Sequence, residues 1–400
     1  MTKQVYPPSI TGKGAGLPHP GSVLDHKFGT GDPYTLGVEE EYMLLDPETF
    51  DLVQHIDTVL GALTGHEHEA RINAELMQST VEIATPVCRT AGDVMHALQT
   101  LRRTVCDTAA SQGLRVGSSG THPFSLFERQ RITARDRYRN LVDQLQYIAR
   151  RELIFGMHVH VAVDGPEKAI QVVNGLVNDI SALLALSASS PFWRGEPTGL
   201  ASSRQMVFAA FPRSGPPPRF ADYADYADVV GYLERTGCIA DYTHIWWDVR
   251  LHPRLGTVEI RICDAVTRVE DAVAITAYCQ ALVKLYSERF DQGPEVPSYH
   301  RILTTENKWL AARYGLEAPV MDLATRRRNR VPIAQLIRRN LRDLEPHARE
   351  LGAERELEGI REILSRGNGA DRQRRIFNAN RDIVEVVREI ADATEAGAAA

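Results

Sequence analysis

The sequence predicts an α+β protein: a large antiparallel sheet with helices packed on its apolar side. Three observations lead there. Five segments alternate apolar and charged residues with the period of two that a strand imposes. Between them lie stretches with helical spacing of apolar residues. No long linker, internal repeat or low-complexity block separates the elements. With 400 residues and 43% hydrophobic content, the chain is long enough for one large domain or two ordinary ones.

The strands come first. In "LGVEEEYM", Glu39 and Glu41 share one face, and Leu36, Val38, Glu40 and Tyr42 share the other. In "TVEIATP", Thr80 and Glu82 oppose Val81 and Ile83. In "FGMHVHVAV", His158 and His160 oppose Met157, Val159, Val161 and Val163. In "WWDVRLH", Asp248 and Arg250 oppose Trp247 and Val249. In "GTVEIRIC", Glu259 and Arg261 oppose Val258, Ile260 and Ile262. One such strand is ordinary half-exposed sheet. Five together predict a charged floor, and lysine is absent from these positions.

Helix signals are also legible. Thr90 opens a capping box with Asp93, followed by Val94, Ala97, Leu98, Leu101 and Val105 at helical spacing. Pro166 can start a second helix. A third is expected near 268–290, and the charged stretch 333–390 reads as mostly helical. The apolar segment "ISALLALSAS" is short and reads as core. Residues 1–32, rich in Pro and Gly, are expected to be a flexible tail, and 386–400 a frayed end. "RSGPPPRF" (213–220) reads as a surface loop. "GSSGTHPF" (117–124) reads as a turn or a ligand-approach loop after the short strand "LRVG". "RRRNR" (326–330) reads as a solvated charge run or a phosphate contact.

Composition narrows the function. A net charge of −6 and a pI near 6.1 argue against a nucleic-acid surface. No apolar run approaches the roughly 20 residues of a membrane span, so no membrane role is expected. Five cysteines without a CxxC suggest reduced thiols in a cytoplasmic setting, not a disulfide frame or a zinc knuckle. Neither a G-x-x-x-x-G-K-[ST] loop nor a G-x-G-x-x-G after a strand is present, and no G-x-S-x-G elbow occurs.

The charged floor suits hard cations. Mg²⁺ takes oxygen ligands and readily shares its shell with phosphate. Glu39 and Glu41 stand roughly 6–7 Å apart along a strand, which lets them serve adjacent ions that hold the phosphates of ATP. Arg261 has the planar fork that matches phosphoryl oxygens. The plainer alternatives stay open: a solvated edge for Glu39 and Glu41, paired structural carboxylates for Glu82 and Glu259, core histidines for His158 and His160. Zinc on "HVH" ranks below Mg²⁺ because the other candidates are glutamates. Glu40 points away from the floor and is expected to pair with an arginine.

Taken in order, "TLGVEEEYMLL", "ELMQSTVEIATPV", "GTHPF", "GMHVHVAV", "IWWDVRLHPRLGTVEIRICDA" and "ADRQRR" resemble the type 2 glutamate–cysteine ligase family of carboxylate–amine ligases, from about residue 34 to about 380. The resemblance implies a glutamine-synthetase-like fold: a six-stranded antiparallel sheet forming an active-site funnel with helices outside, in a single catalytic domain over 33–385. It implies ATP- and Mg²⁺-dependent joining of the L-glutamate γ-carboxylate to an amine, L-cysteine by default, through an acyl phosphate. It places Glu39, Glu41, Glu82, His158 and Glu259 on metal. Arg261 falls on phosphate, with Arg250 beside it at the nucleotide, and Glu259 and Arg261 are the candidate catalytic pair. A homodimer is compatible with the resemblance. A phosphotransferase of the guanidino-kinase kind and a non-catalytic nucleotide-binding protein are the alternatives. Glu40 stands where the family often has Leu or Arg.

Overall fold

A computed structural model describes residues 25–293, 296–325 and 329–399. Its centre is an antiparallel sheet built around one long strand, β1 (Leu36–Leu45). The partners are β2 (Ile72–Ala74), β3 (Thr80–Ala84), β4 (Arg115–Gly117), β5 (Met157–Ala162), β6 (Val249–His252) and β7 (Thr257–Ile260). The order is β6-β7-β5-β1-β3-β2. That path has the six strands the resemblance implies. A seventh, β4, is added because β1 is long enough to pair twice on one edge, with β5 along Leu36–Glu40 and with β4 along Met43–Leu45.

The alternation holds strand by strand. Leu36, Val38, Tyr42, Val81, Ile83, Val159, Val161, Val258 and Ile260 are all buried on one face. Helices Ala91–Ser111, Pro166–Leu176 and Val269–Gln292 pack beneath them. The first begins at the expected capping box: the Thr90 side chain accepts from the Asp93 N–H at 3.1 Å, and Asp93 accepts from the Thr90 N–H at 2.9 Å. Among the described residues, no single helix is long and apolar enough to cross a membrane. Ile180–Ser187, the most apolar segment, is buried throughout.

Glu40 sits on the apolar side, fully buried. Arg102 rises to it from the helix below. Its Nε donates to Oε2 at 2.9 Å and its Nη2 to Oε1 at 2.5 Å, while its Nη1 donates to the Thr267 carbonyl at 2.8 Å. The Tyr42 hydroxyl also donates to Glu40. The expected arginine partner is therefore present.

Four expectations change. The described part of the segment 386–400 is not frayed, since helix Ile383–Ala399 buries Val386, Val387 and Ile390, and Arg103 Nε donates to the Ala398 carbonyl at 2.9 Å. Its apolar stripe outweighs the small residues at its end. The flexible tail over 1–32 does not hold for its last residues. Phe28 is buried, and the Lys27 N–H donates to the Pro253 carbonyl at 2.9 Å. Residues 1–24, like Arg326–Arg328 of the arginine run, lie outside the described residues. The 213–220 loop is more than surface. Ser214–Gly215 pairs with Trp246–Trp247, and Phe220 is buried. Finally, the small residues of 117–124 make room for a carboxylate of the protein itself. A Cβ on Gly120 would stand 2.6 Å from the Asp264 carboxylate, which accepts from Ser190 at 2.7 Å and Ser202 at 2.8 Å.

Candidate active site

The other face of the sheet forms the floor of a cavity of about 500 Å³. The strand register sets its contents. Glu39 lies opposite His158, Glu41 opposite Glu82, and Glu259 opposite both His160 and Arg250. All of them, with Arg261, line the cavity. Asp248, expected on the same floor, does not. A break in the strand after Trp247 turns it aside, and Lys308 holds it in a buried ion pair at 2.7 Å.

Two clusters of ligand atoms stand side by side. Glu39, His160 and Glu259 each bring one within 4.8 Å of the others, and so do Glu41, Glu75 and Glu82. Glu39 and Glu41, neighbours on one face of β1, put one carboxylate in each. Glu75 was not anticipated. It follows a strand of only three residues, too short to display a period. His158 keeps its Nδ1 on Glu39 at 3.0 Å and is not in either cluster in this structure. His160, on the expected floor but without an assigned role, has its Nδ1 on Thr257 at 3.0 Å. Its Nε2 is buried without a hydrogen-bond partner, 3.5 Å from a Glu39 oxygen.

The electrostatics of the two clusters differ. At Glu259, burial is outweighed by Arg250 and Arg261, and the carboxyl is held well below its usual range. Arg250 Nε donates to it at 2.6 Å, and Arg261 donates to it as well. At Glu39, burial is outweighed by the hydrogen bond to His158 and by the nearby His160 ring, with the same downward result. The second cluster lacks such partners. Burial, reinforced by Glu39, Glu75 and Glu41, pushes Glu82 well above the carboxylate range. Burial and Glu75 push Glu41 up to about 7. Carboxylates this close, desolvated and short of positive charge, are set up for a cation.

The donor set is oxygen-rich with one imidazole, holds a buried nitrogen without a hydrogen-bond partner among the described residues, and repels itself when empty of positive charge. It therefore fits Mg²⁺ or Mn²⁺ in preference to a thiolate-seeking metal.

Two further cavity residues escaped the sequence reading. Arg204 lies in a short helix, Ser203–Phe208, capped by Ser202. Its Nη1 donates to the Ile262 carbonyl at 3.3 Å, and its Nε is buried without a partner. Glu152 precedes β5 in irregular chain and also lines the cavity.

Comparison with known proteins now places the chain. Residues 35–393 match the model of glutamate–cysteine ligase family 2. A protein of Rubrobacter xylanophilus, which carries the provisional name glutamate–cysteine ligase 2-1, is 45% identical over 363 residues, covering 90% of this chain and 95% of its own. One from Solibacter usitatus, provisionally named glutamate–cysteine ligase 2, is 40% identical over 366 residues, covering 91% and 94%. Among solved structures, a glutamate–cysteine ligase of Francisella tularensis in complex with AMP has a TM-score of 0.66 at 11% identity, over 91% of this chain and 89% of its own. A bifunctional glutathione synthetase of Pasteurella multocida has a TM-score of 0.68 at 17% identity, over 92% and 53%. These structural likenesses carry the fold, which is glutamine-synthetase-like. The family match and the sequence relatives carry more: the chain belongs to glutamate–cysteine ligase family 2, whose members are ATP-dependent ligases that form carbon–nitrogen bonds.

Proposed function

We propose that the protein joins the γ-carboxylate of L-glutamate to an amine, with L-cysteine as the default acceptor, through an acyl phosphate. One observation supports this most: two carboxylate clusters share β1 through Glu39 and Glu41 and open into one cavity. In the first step, a γ-carboxylate oxygen bonds to the terminal phosphorus of ATP while the bond to ADP breaks. In the second, the amine nitrogen bonds to the acyl carbon, orthophosphate leaves, and the nitrogen gives up a proton. The demand on the protein is positioning and charge balance, not a protein nucleophile.

The chain's own groups divide that work. Arg261 and Arg250, both anchored on Glu259, present guanidinium groups on one side of the cavity for the transferring phosphoryl charge. Glu39, His160 and Glu259 would hold one divalent ion, and Glu41, Glu75 and Glu82 a second. Ions bound there would supply the positive charge that lets two anionic reactants approach each other. His158, pulled down to about 4 by burial and by Arg261, stays neutral and fixes the Glu39 carboxylate.

The test is ADP release with Mg-ATP, L-glutamate and a panel of amines, together with mass analysis of the product. The reading requires ADP and free phosphate in equal amounts only when acid and amine are both present. A stable phosphorylated acceptor without free phosphate would show a phosphotransferase instead.

A further inference from the structure

Among the described residues, Glu152 is the one carboxylate lining the cavity that the chemistry above does not use. Its side chain has no hydrogen-bond or ion-pair partner among the described residues, and its Oε2 is buried with nothing to accept from. An unpaired, desolvated carboxylate is costly to keep. Burial, then Glu41 and Glu75, push it well above the usual carboxylate range, while Arg204 and Arg261 only partly oppose them. Nor is it a natural third ligand for a metal. Glu41, Glu75 and Glu82 converge without it, and it joins neither cluster.

Its surroundings are different from the floor. Two residues along the same segment, Ile154 lines the cavity in an apolar group with Phe208 and Phe211. The rings of Phe208 and Phe211 stack at 5.5 Å, and Trp246 meets Phe211 edge-on at 5.4 Å. So a carboxyl group without a partner shares the cavity with an apolar wall. The group that complements both is an organic cation: an ammonium carried on an apolar stem.

We propose that Glu152 is the binding residue for the ammonium of the acceptor, and that the wall of Ile154, Phe208 and Phe211 takes the carbon stem attached to it. This inference rests on the ligase reading above. It names what that reading leaves open, the chemical class of the amine: a primary alkylammonium with an apolar stem. A charged amine docked on Glu152 would lie in the cavity that also holds the acyl phosphate, and would pass a proton to the Glu152 carboxylate before the nitrogen attacks.

The experiment compares acceptors of different charge. Hydroxylamine is uncharged at neutral pH and has no need of an ammonium site; its product is a hydroxamate that ferric iron colours. Cysteine, a zwitterion, and methylamine, a cation, both present their nitrogen as an ammonium. In Glu152→Gln, the ratio of kcat/KM for cysteine or methylamine to kcat/KM for hydroxylamine should fall about tenfold or more, the order of a lost charge-assisted contact, mainly through the amine KM. Glu152→Asp, which keeps the charge, should recover part of the ratio. A ratio in Glu152→Gln equal to that of the unaltered protein overturns the assignment, as does a ratio that Glu152→Asp lowers as far as Glu152→Gln does. Failure of the unaltered protein to form any hydroxamate from glutamate and ATP overturns the ligase reading itself, and the inference with it.

Discussion

The two sides of β1 treat the same residue type in opposite ways. Glu40 faces the helices and is neutralised within the protein: Arg102 clasps both of its oxygens, and Tyr42 adds a hydroxyl. Glu39 and Glu41, one residue to either side, face the cavity. Glu39 finds only imidazoles, and Glu41 finds other carboxylates together with the Gly156 N–H at 2.7 Å. The difference teaches how a fold keeps stability and function apart on one strand. Charge on the core side is matched inside the chain, because an unmatched buried charge is costly. Charge on the cavity side is left incompletely matched, which is what the proposed cations would supply.

Four outcomes break or sharpen this contrast. The largest concerns the cavity side. Glu39→Gln or Glu259→Gln should lower glutamate- and amine-dependent ADP release by about a thousandfold or more, with far-ultraviolet circular dichroism unchanged. Activity within tenfold of the unaltered protein in both variants would remove the distinction. Next comes the core side. Arg102→Met leaves Glu40 buried without its cation and should cost about 3–5 kcal/mol of unfolding free energy in denaturant titration. The double change Glu40→Gln with Arg102→Met should recover much of that. The surviving folded fraction should keep its KM for ATP.

The third outcome is the response to pH. His122, outside the cavity, is buried with a ring nitrogen 2.9 Å from the Phe50 carbonyl, and burial pulls it down to about 4. The unfolded chain therefore binds its proton first as pH falls. His122 contributes nothing adverse above the ordinary value of about 6.5, and its stability is lost between about 6.5 and 4, by about 3 kcal/mol in all. Glu41 has the opposite sign. Its folded value of about 7 lies above the unfolded one, so the metal-free protein loses stability at this site as pH rises toward 7. Thermal melts in chelator should show Glu41→Gln gaining stability relative to the unaltered protein as pH rises from about 4.5 to about 7. Identical melts for Glu41→Gln and the unaltered protein across that range would contradict the assignment. The smallest effect is Thr90→Ala at the capping box, at about 1 kcal/mol of stability with kcat unaltered; a changed kcat would tie that helix to the site.

How much of this was legible varied with the length of the element. The period of two needs four or five residues to show. β1, β3, β5 and β7 have them, and their floor residues converge as expected. β2 has three residues, so Glu75 just beyond it carried no pattern. Glu152 and Arg204 sit in irregular chain and a one-turn helix, where side-chain direction depends on tertiary packing. Asp248 obeyed the alternation in the sequence and was turned away by a break in its strand. The type of partner for Glu40 was legible from its solitary charge among apolar neighbours. That the partner is Arg102, 62 residues away, required the fold. The helix at 383–399 was misjudged because its alanine-rich end obscured the stripe of Val386, Val387 and Ile390.

The proposed cation site on the cavity carboxylates would complete the protein's charge only on binding. Calorimetric titration of Mn²⁺, standing in for Mg²⁺, into the metal-free protein with ADP present tests it most directly. The account predicts saturable binding that is weakened at least tenfold in both Glu39→Gln and Glu82→Gln and is untouched by Thr90→Ala. Mn²⁺ binding of the same affinity and stoichiometry in the unaltered protein and in both glutamine variants would contradict it.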